Sequence, residues 1–165
     1  MKRFRLVFAL AALLFPFLAH AFVVLKFSPS SVAVTSGQLL DVDVSISNLG
    51  NGVPPSVGAY DLDVAFDSSL LTPIDVIFGP FLGDPSLFEA LTVFDLSIPG
   101  IVDFASVSLL TSAELDALQP SSFSLATISF MALADGAANF NFVGDVRVDD
   151  AFGIKLVIDE PPLTH

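Results

Sequence analysis

The sequence predicts an all-β sandwich or barrel of roughly nine short strands, interrupted by one short connecting helix. Three observations carry this. Apolar residues recur at every second position along much of residues 22–165; clusters of Gly, Pro, Asp and Ser separate nearly all of these runs; and no alternation of strand with helix patterns is visible.

The opening run spans 23–34 and breaks near Pro29. The clearest run sets Leu40, Val42, Val44 and Ile46 against Asp41, Asp43, Ser45 and Ser47, the pattern of a strand with one face buried. A turn-rich stretch, 48–55, leads into Tyr60, Leu62, Val64 and Phe66 set against Ala59, Asp61, Asp63 and Ala65. Shorter runs follow at 71–78, 92–98, 101–109, 123–133, 138–143, 146–148 and 152–158. The helix is announced by Thr111 and Glu114, spaced as a capping box ahead of Leu115 and Leu118, and Pro120 ends it after about two turns. Many of the 17 Phe residues, among them Phe66, Phe130, Phe140 and Phe142, fall on the inward positions and belong to a core. Tyr60, the single tyrosine, shares that face, and its hydroxyl is expected to reach a backbone partner at the sheet edge.

Composition narrows the function. A formal charge of -12, with 6 Lys+Arg against 18 Asp+Glu, opposes binding to nucleic acid, which requires clustered cations, and favours a basic partner or a divalent cation. There is no cysteine for a disulfide or thiolate site. Lys2, Arg3 and Arg5 precede the apolar stretch 6–18, and Ala19 and Ala21 flank His20. This is the pattern of a signal peptide, residues 1–21, cleaved after Ala21. The stretch is shorter than the roughly 20 residues of a membrane span. Cleavage removes three cations and no acid, so residues 22–165, read as one secreted domain, are more acidic still. They suffice to bury about 68% of their unfolded surface without staples.

Catalysis finds little support. One histidine leaves with the leader and the other, His165, is the last residue, so imidazole base chemistry is effectively absent. Paired carboxylates suit a glycoside hydrolase, but no Trp and a single Tyr are available to build a sugar cleft. Asp41/Asp43 and Asp61/Asp63 are i, i+2 pairs, each projecting two like charges from one face of a strand. They read either as a wet outer face or as an invitation to a cation or basic partner. Asp145, Asp149 and Asp150 bracket Arg147 and form a candidate calcium site of hard oxygen ligands, without the spacing of an EF-hand loop. Sugar stacking would fall to an exposed Phe such as Phe81 or Phe88. A free edge strand offers a way to pair two copies, which the net charge opposes.

Several segments together resemble a cohesin domain of the cohesin and carbohydrate-binding-module superfamily, over roughly residues 27–158. Residues 57–71 resemble the cohesin strand that runs into a Y/F-D-P-x-L-L turn, with Ser68 in place of Pro and Asp67 kept as turn-former. Residues 125–130, Leu-Ala-Thr-Ile-Ser-Phe, resemble the family's L-A-T-I-x-F run, followed by Gly136 and the Phe140/Phe142 strand. Residues 34–37 resemble its opening V-x-x-G turn. The resemblance implies a nine-stranded jelly-roll β-sandwich acting as a non-catalytic binding module. Cohesins present one flat sheet face to a dockerin. Asp61 matches an outward position on that face with Asp63 beside it, whereas Asp41 and Asp43 match the opposite sheet. The expected partner is a dockerin-like or other extracellular or envelope protein; the alternative is a polysaccharide. Residues 108–120 look most like secreted proteins of Gram-negative bacteria that carry a PEP-CTERM sorting tail. Residues 159–165 hold neither the apolar helix nor the arginine cluster of such a tail, so a tail beyond this sequence or free release is expected.

Overall fold

A computed structural model describes residues 22–159; the signal-peptide segment lies outside them. The chain forms β1 (Val23–Pro29), β2 (Ala33–Val34), β3 (Leu39–Ser47), β4 (Val57–Ala65), β5 (Leu71–Phe78), β6 (Ala90–Asp95) and β7 (Ile101–Ser108). Then come α1 (Ser112–Leu118), β8 (Ser122–Ala132), β9 (Gly136–Ala137), β10 (Asn141–Asp150) and β11 (Ile158–Asp159). A five-stranded sheet in the order β11-β1-β3-β8-β5 packs on a four-stranded sheet in the order β10-β4-β7-β6, and β2 and β9 pair separately. The all-β class is as the alternation predicts, and of sandwich and barrel it is the sandwich, as the cohesin resemblance implies. Eleven strands form among the described residues where roughly nine were expected: the opening run divides into β1 and β2 and the two-residue β9 forms outside the expected runs, while the 138–143 and 146–148 runs join in one bulged strand, β10, and most of the 152–158 run is irregular.

The core is the sum of the inward rows. Leu40, Val42, Val44 and Ile46 of β3 are fully buried, as are Leu62 and Val64 of β4 and Val102 and Phe104 of β7. Aromatic contacts close the layer: Phe130 meets Phe66 edge-on at 5.1 Å and Phe140 at 5.3 Å between ring centroids, within the range where such pairs add to area burial.

One irregularity has a structural use. A bulge in the β3–β8 ladder between Val44 and Ser45 turns Leu125 and Ala126 of β8 both inward. It leaves the Leu125 carbonyl to accept from the Gly79 N–H (2.8 Å) and the Tyr60 hydroxyl (2.9 Å). Tyr60 thus finds the expected backbone partner, but on β8 inside the facing sheet rather than at a sheet edge, and ties the two sheets together across the core. Burial pushes its phenol far above the ordinary range, so it stays a donor.

The capping box forms: the Thr111 hydroxyl accepts from the Glu114 N–H (3.4 Å), and the Glu114 carboxylate accepts from the Thr111 N–H (2.8 Å). Asp67 acts as the expected turn-former, accepting from the Ser69 N–H (2.9 Å) and hydroxyl (2.6 Å). These bonds hold its carboxyl below the usual carboxylate range.

Candidate functional site

Antiparallel pairing aligns the outward side chains of the four-stranded sheet into three rows running from β10 across β4 and β7 to β6. Val143, Asp63, Asp103 and Asp95 form the first; Arg147, Asp61, Ala105 and Val93 the second; Asp149, Ala59, Val107 and Leu91 the third. The face therefore grades from acidic to apolar, with three carboxylates in register at one end and Val107, Leu91 and Val93 exposed by 47%, 59% and 65% at the other.

The acidic end has no cation of its own among the described residues. Arg147 lies opposite Asp61 in the ladder, but its guanidinium grips Asp149, with Nε at 2.8 and 3.0 Å from the two carboxylate oxygens and Nη2 at 2.8 Å. Asp103 sits between its neighbours half-buried; partial burial first, then the negative charges of Asp63, Asp61 and Asp95, hold its carboxyl above the usual range. Asp95 is drawn the other way by hydrogen bonds from Ser97, its N–H at 2.8 Å. Next to Asp63, the bulge of β10 requires glycine: Gly144 has φ +71, and a Cβ there would lie 2.9 Å from the Asp63 carboxylate.

The row's repulsion is measurable. Asp103→Asn is expected to stabilise the protein by a few tenths to about 1 kcal/mol at about pH 7. A carboxyl whose folded pKa is raised binds its proton more tightly folded than unfolded, so its ionised form costs stability above the folded pKa. That cost fades as pH falls through the folded value toward the unfolded one. Urea unfolding should therefore show a difference between wild type and variant that vanishes toward about pH 3. A variant no more stable than wild type at neutral pH would show that the row is not under strain.

The structure separates the other sequence-derived candidates. Asp41 and Asp43 lie on β3, in the opposite sheet from Asp61 and Asp63. They accept from the Ser129 hydroxyl (2.7 Å) and the Ser124 hydroxyl respectively, as a solvated polar face does. Asp145, Asp149 and Asp150 are not brought to one point. Asp145 pairs with Lys155 (2.7 Å), Asp149 with Arg147, and Asp150 accepts from the N–H groups of Phe152 (2.8 Å) and Ile154 (2.9 Å). Among the described residues no group of three or more carboxylate or imidazole side chains is placed to hold a metal ion. Of the two phenylalanines expected at the surface, Phe81 is instead half-buried against Phe123 (5.0 Å). Phe88 is 82% exposed, on a left-handed backbone at φ +59.

Sequence reasoning missed Asp95, Asp103, Leu91, Val93 and Val107. Their alternation was readable, but their alignment beside Asp61 and Asp63 depends on strand order. It also missed Gln119, whose side chain is buried at the end of α1. Its Oε1 accepts from the Val57 N–H (2.7 Å), and its Nε2 donates to the carbonyls of Val57 (2.8 Å) and Phe81 (2.9 Å).

No family model matches this sequence, and no curated protein matches it. Solved structures do. A type II cohesin domain from the cellulosome of Acetivibrio cellulolyticus is similar with a TM-score of 0.69 at 15% identity, over 85% of this chain and 92% of that one. CaCohA2 from Clostridium acetobutylicum, a solution structure, gives 0.65 at 21% identity over 86% and 87%. A type I cohesin–dockerin complex from Clostridium thermocellum gives 0.66 at 15% identity over 84% and 94%. With two facing sheets, the strand order described above and solved cohesins superposing over most of its length, the chain has the cohesin fold.

Proposed function

We propose that this protein is a secreted, non-catalytic binding module that holds another protein against the outer face of its four-stranded sheet. The observation that carries the reading is the grading of that face, an unneutralised row of carboxylates beside an exposed apolar row on one side of one sheet. Protein interfaces combine these two elements, apolar area for affinity and charge for steering and register. The fold supports the reading, since solved structures similar to this chain include cohesins in complex with dockerins. The leader-like residues 1–21 support export, and the resemblance of residues 108–120 supports the cell envelope or surroundings of a Gram-negative bacterium. Among the described residues no helix is long and apolar enough to cross a membrane.

The immobilised protein, incubated with the proteins released by its native cells with calcium and then with chelator, should retain a specific protein at low salt and release it as salt rises. The Asp61→Lys/Asp63→Lys variant should bind that partner about 100-fold more weakly, because two attractive contacts become repulsive. Equal retention by wild type and variant would sink the assignment of the face. Recovery of polysaccharide alone would replace the protein partner by a glycan.

A further inference from the structure

The loop between β3 and β4 carries a dipeptide that partner binding does not use, Asn51-Gly52. The base of this loop is fixed. The Gly50 N–H donates to the Pro55 carbonyl (3.1 Å), the Leu49 N–H donates to the Ser121 carbonyl (3.1 Å), and the Val53 carbonyl packs where a side chain on Gly50 would stand. The tip is open: residues 51–54 are exposed. Among the described residues neither the Gly52 N–H nor the Asn51 side-chain amide has a hydrogen-bond partner. Gly52 has φ +70, and nothing lies within 4 Å of the position its Cβ would take. Its amide nitrogen is therefore unshielded, and the main chain there is free to turn.

We infer that Asn51 is a site of spontaneous covalent modification by water in the folded protein. The chain itself tethers the nucleophile to its target, which replaces a bimolecular encounter by a ring closure. Hydroxide takes the Gly52 N–H proton, and the nitrogen attacks Cγ of Asn51. The new N–Cγ bond closes a five-membered succinimide as the Cγ–Nδ2 bond breaks, and Nδ2 takes a proton from water and leaves as ammonia. Water then opens the ring at one of its two carbonyls. Opening at Cγ leaves an ordinary aspartate. Opening at the main-chain carbonyl leaves isoaspartate, in which the main chain runs through the former side chain and gains a methylene. Nothing is oxidised or reduced; one water enters and one ammonia leaves. Either product adds one negative charge to a chain already at -12.

The rest of the molecule restricts the reaction to this position. The other three asparagines precede larger residues, whose side chains shield the attacking nitrogen: Asn48 stands before Leu49, Asn139 before Phe140 and Asn141 before Phe142. The Leu49 N–H is bonded to Ser121, the Asn139 amide donates to the Ala137 carbonyl (3.4 Å), and Asn141 lies in the β10–β4 ladder opposite Ala65. Asp135-Gly136 has the spacing to form the same ring, but the Asp135 carboxylate accepts from the Ser36 N–H (2.9 Å) and Gly136 pairs with Val34 of β2. A carboxylate is also the poorer electrophile. Because the Gly50–Pro55 bond closes the loop below the tip, the longer main chain of isoaspartate is taken up within residues 51–54 and the two sheets are undisturbed.

Incubating the purified protein for days in mildly acidic and in mildly alkaline buffer, then mapping its peptides by mass spectrometry, tests this. The peptide holding Asn51 should gain the mass difference between an amide and an acid and separate chromatographically into aspartate and isoaspartate forms. It should convert about tenfold or more faster than the peptides holding Asn48, Asn139 and Asn141. Conversion should be faster in the alkaline buffer, where more hydroxide is present to take the Gly52 proton. The converted protein should keep the thermal melt of the unconverted one. A parallel incubation in urea should give a similar rate at Asn51, because the folded loop already leaves the tip free. Asn51→Gln, whose ring would have six members, should remove the acidic form seen on ion exchange without changing the melt. An Asn51 that stays intact in the folded protein, whether or not it converts in urea, overturns the inference, since the loop then holds the two groups apart. Equal conversion at the other asparagines, or an acidic form that survives in Asn51→Gln, overturns it as well.

Discussion

Phe130→Ala is expected to lower the free energy of unfolding by about 4 kcal/mol. Phe130 is fully buried on β8, the strand flanked by β3 and β5 in the five-stranded sheet. Its ring contacts Phe66 from the facing sheet's strand β4 as that strand ends, and Phe140 just before β10. Truncation removes the transfer free energy of the ring and leaves a cavity between two hydrogen-bonded sheets, which cannot close over it without breaking ladders. Domains of this size are stable by only about 5–15 kcal/mol, so the midpoint of thermal unfolding should fall by about 10–15 °C. Urea unfolding should show a lower midpoint with an unchanged slope. Phe88→Ala is the control: Phe88 is exposed, and its removal should change stability by less than about 0.5 kcal/mol. Equal effects at the two positions would refute the packing described for the core.

Gln119→Leu is expected to cost about 2–4 kcal/mol, although it keeps the side chain's size and is more apolar. The amide of Gln119 is the only side chain bonded to the main chain of both Val57, at the start of β4, and Phe81, in the turn after β5, among the described residues. It makes three hydrogen bonds there. Leucine can make none, so the Val57 N–H and the two carbonyls lose their partner at a site where Val57 itself is fully buried. The cost of orphaned buried polar groups outweighs the gain from burying a leucine. Gln119→Glu should be no better, since a carboxylate cannot donate to the two carbonyls and would be buried as a charge. Chemical unfolding of the three proteins side by side checks this; a leucine variant as stable as wild type would mean that water or the backbone replaces the lost bonds.

The elements themselves were largely legible in the sequence. The runs at 71–78, 101–109 and 123–133 lie within one residue of β5, β7 and β8. The capping box at Thr111 and Glu114 formed, and the inward row of Leu40, Val42, Val44 and Ile46 is buried throughout. These are local properties: side chains along a strand alternate by geometry, and a cap is set by residues three apart. Sequence reading erred where local pattern had a competitor. Residues 152–158 alternate well enough for a strand, yet Gly153 at φ +77 and the Asp150 carboxylate, accepting from Phe152 and Ile154, shape a turn there. Phe81 was expected at the surface as a residue of the loop between Gly79 and Leu91, but the first 3-10 turn after β5, Pro80–Leu82, lays it on Phe123.

The candidate face shows the division most clearly. Sequence alone determined that Asp61 and Asp63 project from one side of a strand whose other side is core, that the surface is acidic, and that the chain is all-β. Only the tertiary structure decided that Asp103 and Asp95 stand beside Asp63, that Arg147 turns to Asp149 rather than Asp61, and that Asp145, Asp149 and Asp150 each find a separate partner. The reason is the range of the interactions. The direction of a side chain follows from its own strand, whereas its neighbours follow from strand order and register, which are settled by the burial of every inward row at once.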